Sequence, residues 1–412
     1  MMEIPDKLAV DGGDPVRRET FAAWPHYALD EIEAVTRVLT SGRVNFWTGT
    51  ECTQFEAEYA QYVGVRHAIT LANGTLALEL ALYALGIGPG DEVVVPSRTF
   101  IASASCVVAR GARPVVADID PASQNLTVDT IRAVLTPRTR AIVAVHLGGW
   151  PCEMEAIMAM AREHGLFVVE DCAQAHGARY KGRPVGSFGD VAAFSFCQDK
   201  IISTGGEGGM LLTNNTALWE KAWAYKDHGK SYDAVFRREH PPGFRWLHES
   251  FGSNWRMTEM QAAIGRLQLG KLEGWVAMRR NHAVILEEGF ATIPGLCIIP
   301  ARPDLVHAYY RYYVFLDLDK LDQGWDQTRV IAAIHAEGVP CFVGSCSEIY
   351  REKAFENLGW PSVQSHQVAK HLGETSLAFL VHPTLSEKDM HDICTAVSKV
   401  MRVAVRSGDG QC

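Results

Sequence analysis

Lys200 lies at the end of the run Phe194-Ser195-Phe196-Cys197-Gln198-Asp199-Lys200, and a glycine-rich stretch, Gly205-Gly206-Glu207-Gly208-Gly209, follows it. An acidic pair, Glu170-Asp171, ends an apolar stretch 29 residues before the lysine. A lysine amine can form an imine with an aldehyde, and an upstream carboxylate can keep a heteroaromatic nitrogen protonated. With small residues around both groups, this is what a pyridoxal 5'-phosphate site needs. A lone lysine is ordinarily a solvated surface group. Here the apolar run Ala192-Ala193-Phe194-Ser195-Phe196 before it, and glycines too dense for an exposed helix after it, argue for a covered setting.

A phosphate needs its own cradle. Ile69-Thr70-Leu71-Ala72-Asn73-Gly74-Thr75, running on into Leu76–Leu82, reads as strand, tight turn and helix. The unpaired N–H groups of the helix start, with the Thr75 hydroxyl, would grip an anion, and Gly74 would let the backbone come close. Alone the pattern reads better as a plain capped helix; it gains weight beside the lysine and the acid. Asp171 falls just past a buried strand expected at 166–169, where open α/β sheets keep their ligand sites. Set against a pyridine nitrogen, its charge would make the ring an electron sink. Lys200 would then carry the proton between the substrate α-carbon and the cofactor.

These groups must be positioned by a sheet. Short apolar runs at 68–71, 92–95, 114–117, 141–145, 166–169, 191–194 and 210–212 read as strands, several apolar at consecutive positions as expected of strands covered on both faces. Helical segments at 75–85, 101–110, 128–135 and 153–164 alternate with them, which predicts an α/β fold with a mostly parallel central sheet. After about residue 265 the pattern changes to a helical stretch Leu267–Leu286, a strand over Tyr310–Leu316, and helices at 326–337 and 386–402. The expected division is a large α/β domain over 1–265 and a smaller C-terminal α+β domain over 266–412, with a frayed tail from Arg406.

Bulk properties narrow the function. The chain has 412 residues, 47% apolar and 21% charged, the profile of a globular protein with room for two domains. A net charge of −9 and the lack of a basic stripe argue against a nucleic-acid partner. The ten cysteines form no C-x-x-C pair and read as reduced thiols. With no apolar leader at Met1–Lys7 and no run of membrane-span length, a soluble cytoplasmic enzyme is expected.

Several motifs occur in a recognisable order: Gly74-Thr75; Pro96-Ser97-Arg98-Thr99-Phe100-Ile101-Ala102; Glu170-Asp171-Cys172-Ala173-Gln174-Ala175-His176-Gly177; Gly186-Ser187-Phe188-Gly189-Asp190; Phe194-Ser195-Phe196 with Lys200; and Asn254-Trp255-Arg256-Met257-Thr258-Glu259-Met260-Gln261-Ala262-Ala263. Together they resemble the DegT/StrS family of pyridoxal-phosphate-dependent sugar and aminocyclitol aminotransferases, over nearly the whole chain. The resemblance implies fold type I, the aspartate-aminotransferase-like architecture. It makes Lys200 the Schiff-base lysine, Asp171 the partner of the pyridine nitrogen, Phe100 the aromatic stacked on the ring and Gln174 the residue beside the ring and its hydroxyl. It assigns Gly74, Thr75 and Ser195 to the phosphate cradle and Asn254 to the phosphate of a neighbouring subunit, so a homodimer with shared sites is implied.

The implied reaction is a ping-pong transfer of an amino group from glutamate or glutamine to a keto sugar, most simply a nucleotide-linked one. Keto-cyclitols of the scyllo-inosose type are the alternative acceptors. Family members that dehydrate sugars carry histidine at the lysine position, and Lys200 argues against that class; a non-catalytic regulator would show decay of the cofactor constellation, which here is complete. Two stretches, Gly148-Gly149-Trp150 and Cys197-Gln198-Asp199, depart from the commoner pattern and are expected to line the acceptor pocket. His146 reads as a satisfied strand-end histidine rather than a catalytic one. Arg256, Lys226, Tyr310 and Arg311 are candidates to face an anionic diphosphate or to be structural, and the loop from Lys226 to Ser250 reads equally as a lid or interface arm and as a surface excursion.

Overall fold

The seven apolar runs form one sheet. The computed structural model describes residues 7–356 and 365–406, so most of the expected frayed tail and of the Met1–Lys7 start lie outside the described residues. The strands lie in the order His67–Leu71, Gly209–Thr213, Val191–Ser195, Phe167–Asp171, Thr139–Val145, Glu92–Pro96 and Arg113–Ala117. All neighbours pair in parallel except Gly209–Thr213, which is antiparallel to both of its own. Val93, Val94, Ile142, Val143, Val168 and Val169 are fully buried, because helices cover both faces of the sheet.

Parallel pairing brings the carboxyl ends of the strands to one edge. Leu71, Pro96, Val145, Asp171 and Ser195 therefore stand in a row, and the loops that follow them carry Gly74, Phe100, His146, Gln174 and Lys200. The helix Gly74–Leu85 begins here because the Asn73 side chain accepts from Leu76 N at 2.9 Å, and it ends at Gly86, whose φ of 79° suits a residue without a side chain.

The long helix Glu259–Phe290 starts eight residues before the expected Leu267. Its start is a capping box: the Thr258 side chain accepts from Gln261 N, and the Gln261 side chain accepts from Thr258 N. Beyond it, Leu296–Cys297, Tyr312–Leu316 and Ser376–Phe379 form a small antiparallel sheet packed with Gln327–Ala336 and Glu387–Ala404. The strand expected from Tyr310 starts at Tyr312, because Tyr309 has φ 46° and Tyr310 N bonds outward to Gly148 O. Leu8 is buried in this C-terminal cluster, and Arg17 pairs with Asp389 and Asp392. The N-terminal segment thus crosses to the C-terminal elements before Trp24 reaches back to the sheet edge, where its Nε1 donates to Lys200 O at 2.8 Å.

Candidate active site

Two adjacent carboxylates at the end of Phe167–Asp171 meet different surroundings. Glu170 is fully buried and accepts from Gly186 N at 2.8 Å, from Phe188 N and Gly189 N at 2.7 Å, and from His146 Nε2 at 3.1 Å. These donors outweigh the cost of burial and hold its carboxyl below the usual range. His146 Nδ1 accepts from Cys152 N at 2.9 Å, which leaves its proton on Nε2, facing Glu170. The histidine is satisfied on both ring nitrogens, as expected for a strand end. Glu170, His146 and Cys172 could present ligand atoms within 4.8 Å of one another. The donors already on Glu170 make this a structural network instead of a metal site.

Asp171, 6% exposed, has only Ala173 N at 3.1 Å and Ser103 Oγ at 3.0 Å. Burial dominates and raises its carboxyl above the usual range, against these bonds and the nearby charge of Lys200. A neighbouring cation would restore the ionised form, and a pyridinium is such a cation. Ser103 was not foreseen from sequence. Its Oγ lies 2.9 Å from Thr99 Oγ1, one turn earlier, and the pair frames Phe100. The Phe100 ring is 67% exposed at this edge and is free to take a stacking partner.

The loop bearing Lys200 is fastened to the glycine-rich stretch by Phe196 N to Gly208 O at 2.8 Å and Gln198 N to Gly206 O at 2.9 Å. Lys200 Nζ stands 3.1 Å from Asp199 Oδ1 and 4.9 Å from the centre of the Tyr310 ring. Tyr310 Oη donates to the same carboxylate. Burial would depress the Lys200 amine, but Tyr310 and Asp199 outweigh it, and the amine is raised above its ordinary value. Asp199, expected to line the acceptor pocket, is held by the lysine it precedes.

Gly74 and Ser195 touch. A side chain at Gly74 would bring its Cβ within 2.6 Å of Ser195 Cβ, so only glycine fits. The first N–H groups of this helix have no acceptor within it, and the Ser195 hydroxyl stands beside them. His176 supports the strand from behind: its Nε2 donates to Ser195 O at 2.8 Å, Tyr59 donates to its Nδ1 at 2.8 Å, and burial lowers its pKa to about 4. A helix N-terminus with a bare backbone, an under-satisfied carboxylate, an exposed aromatic ring and a covered lysine amine share one strand edge. This donor set fits pyridoxal phosphate.

Gln174 Oε1 accepts from Gly148 N at 2.7 Å, and Nε2 lies 3.5 Å from Ser345 Oγ. Gly148 O and Gly149 O accept from Tyr310 N and Ala308 N, and Gly149 has φ 93°. The glycine pair expected in the acceptor pocket is buried and fastens the Tyr310 segment to the sheet. Asn254 is exposed, next to Trp255, whose carbonyl accepts from Ala72 N at 3.0 Å. Lys226 is fully buried with its amine 3.5 Å from the centre of the Phe46 ring, and Arg256 pairs with Asp227 at 2.7 Å, so both are structural within this chain. Tyr310 and Arg311 line the cleft. In the Lys226–Ser250 loop, Phe244 and Trp246 are 79% and 82% exposed.

Comparisons with known proteins agree with this geometry. The X-ray structure of an aminotransferase from Psychrobacter cryohalolentis is 53% identical, covers 93% of this chain and 99% of its own, and superposes with a TM-score of 0.91. GDP-perosamine synthase of Caulobacter vibrioides is 38% identical over 86% of this chain and 91% of its own. The L-glutamine:2-deoxy-scyllo-inosose aminotransferase of Streptoalloteichus tenebrarius is 36% identical over 97% of this chain and 98% of its own. No helix among the described residues is long and apolar enough to cross a membrane. Residues 26–398 match the DegT/DnrJ/EryC1/StrS aminotransferase family, and the chain belongs to it, as a pyridoxal-phosphate-dependent aminotransferase of fold type I.

Proposed function

We propose that this enzyme moves an amino group from glutamate or glutamine to the keto group of a sugar, most simply a nucleotide-linked one, in two half-reactions at one site. The observation that carries the reading is the Lys200 amine held at the same strand edge as Asp171 and the Gly74–Leu85 helix start. When bound, pyridoxal phosphate supplies an electron sink for the carbon that loses its proton. Lys200 would hold the cofactor when no substrate does, and its amine would move the proton at the reacting carbon in both halves. Asp171 would partner the ring nitrogen, Phe100 would pack on the ring, and Gln174 would stand beside it. Gly74, Thr75 and Ser195 would bind the phosphate, joined by Asn254 from a second copy, which would make the working unit a homodimer.

A keto-cyclitol acceptor is the second reading, favoured by the near full-length similarity to the scyllo-inosose enzyme. The test is to convert the enzyme to its aminated form with a donor and then screen keto acceptors for return of the original cofactor absorbance. Return with nucleotide-linked keto sugars alone supports the first reading, and return with free keto-cyclitols supports the second. Return with neither class would overturn both.

A further inference from the structure

A groove of about 430 Å³ lies behind the wall of the active-site cleft, between one face of the long helix Glu259–Phe290 and the segment that carries His307 and Tyr309. It shares no lining residue with the cleft that Asp199 and Tyr310 line. Neighbours in sequence divide between the two: Arg279 and Tyr310 border the cleft, Arg280 and Tyr309 the groove. His307 is 7% exposed, and its Nδ1 accepts from Tyr309 N at 2.8 Å, which leaves the ring proton on Nε2. Burial, with the charge of Arg280 nearby, lowers its pKa to about 3, so the ring is neutral and has one N–H to give. Among the described residues that N–H has no acceptor. The ring is held by Tyr309, stacked with centres 3.8 Å apart, and by Trp150, edge-on at 5.4 Å. Among the described residues the side chains of Arg280, Asn281 and Glu287 have no hydrogen-bond or ion-pair partner either. A nearly buried donor without an acceptor, bordering an opening, marks a place for a group from outside the chain.

We propose that this groove is a second binding site, separate from the cleft, for a small sugar phosphate that carries an amino group. Arg280, Asn281 and His307 supply the donors for the phosphate, and Glu287 supplies a carboxylate for the ammonium. Arg302 adds no free charge, because Glu153 and Asp304 already hold it. Glu287 follows Arg280 by two turns on the same helix face, about 10 Å along the axis. That span asks for an anion and a cation set well apart in the ligand. An α-amino acid, with its carboxylate and ammonium on one carbon, does not bridge it. Between the two ends the wall is apolar, formed by Val284, Pro300, Pro303 and Leu305, and suits the carbon skeleton of a sugar ring. The volume falls within the range of about 300–1,000 Å³ usual for small-molecule sites.

The test titrates the cofactor-loaded enzyme by calorimetry with glucosamine 6-phosphate, glucose 6-phosphate and inorganic phosphate. Arg280→Gln and Glu287→Gln are the principal variants: Arg280 is exposed and Glu287 half-buried, so their replacement spares the fold, which an unchanged urea midpoint checks. His307→Asn keeps an acceptor for Tyr309 N and removes the distal donor. Glucosamine 6-phosphate is expected to saturate the parent at one per chain, and to bind Arg280→Gln and His307→Asn roughly tenfold or more weakly. Glu287→Gln should bring glucosamine 6-phosphate down to the affinity of glucose 6-phosphate and leave glucose 6-phosphate unchanged. Failure of glucosamine 6-phosphate to bind the parent overturns the site. Binding that Arg280→Gln and Glu287→Gln both leave unchanged overturns it too, since the ligand would then sit in the cleft. Inorganic phosphate binding as tightly as both sugar phosphates would overturn the assignment of a sugar ligand.

Discussion

The two walls of the cleft treat buried charge in opposite ways. On the sheet side Glu170 has four donors from its own chain. On the side built from Trp24, Tyr310 and the C-terminal elements, Arg279 is nearly as inaccessible and, among the described residues, donates to two backbone carbonyls and to no anion. A charge matched within the chain serves the fold, and one left unmatched in a cleft marks a place for a ligand. Asp171 lies between these extremes: it is adjacent to Glu170 in sequence yet has half as many donors, and burial raises its carboxyl where Glu170 is lowered. One strand end thus holds side by side an acid matched within the chain and an acid with burial left to be offset from outside it.

The strongest way to break the contrast is at the lysine. Lys200→Ala should lower turnover by roughly 10⁴-fold or more, remove the absorbance of bound pyridoxal phosphate and leave the urea midpoint near that of the parent. Full activity without an added amine would contradict the assignment. Next come the two acids. Asp171→Asn should cost activity on the order of 10³-fold with little loss of stability, whereas Glu170→Gln should destabilise the fold. A glutamine turns its amide N–H toward buried donors, at about 1–3 kcal/mol for each one left unsatisfied. Equal stability of the two variants in chemical denaturation would erase the distinction between structural and functional acid.

The pH dependence of stability, measured on cofactor-free protein, sharpens the same comparison. Glu170 is lowered in the fold, so its contribution is present above the ordinary carboxylate range and fades as pH falls through its folded value. Asp171 is raised, so its penalty is absent at low pH and sets in as pH climbs from the ordinary value through the folded one. Rising pH should therefore favour the parent over Glu170→Gln and disfavour it against Asp171→Asn. A smaller effect is expected at Asp199→Asn. Removing that carboxylate lowers the Lys200 amine, so the pH at which the cofactor-free lysine is acylated should move down. An unchanged profile would show that Asp199 does not hold the amine.

The sheet was legible because its strands are short apolar runs between turn residues, and their boundaries shifted by no more than two positions. Their spatial order, and the reversal of Gly209–Thr213, depend on long-range pairing that no local pattern encodes. In the site, Lys200, Asp171 and Gly74 announced themselves through the apolar or glycine-rich residues beside them. Ser103 left a faint trace, a hydroxyl one helical turn after Thr99. Arg279 left none: in Arg279-Arg280 it looks like any solvent-facing helical basic residue, and only packing against Trp24 and the Tyr309–Tyr310 carbonyls buries it. Lys226 is a parallel case, the last residue of the helix Thr216–Lys226, which the fold buries over Phe46.

Lys226 also supplies the control for the central claim, since it is a second buried lysine, and burial holds its amine below the ordinary value while that of Lys200 is raised. The enzyme loaded with pyridoxal phosphate should be reduced with borohydride, digested and mapped by mass spectrometry. The account predicts one phosphopyridoxyl group per chain, on Lys200. Label on Lys226, label spread over surface lysines, or no stable label at all would contradict it.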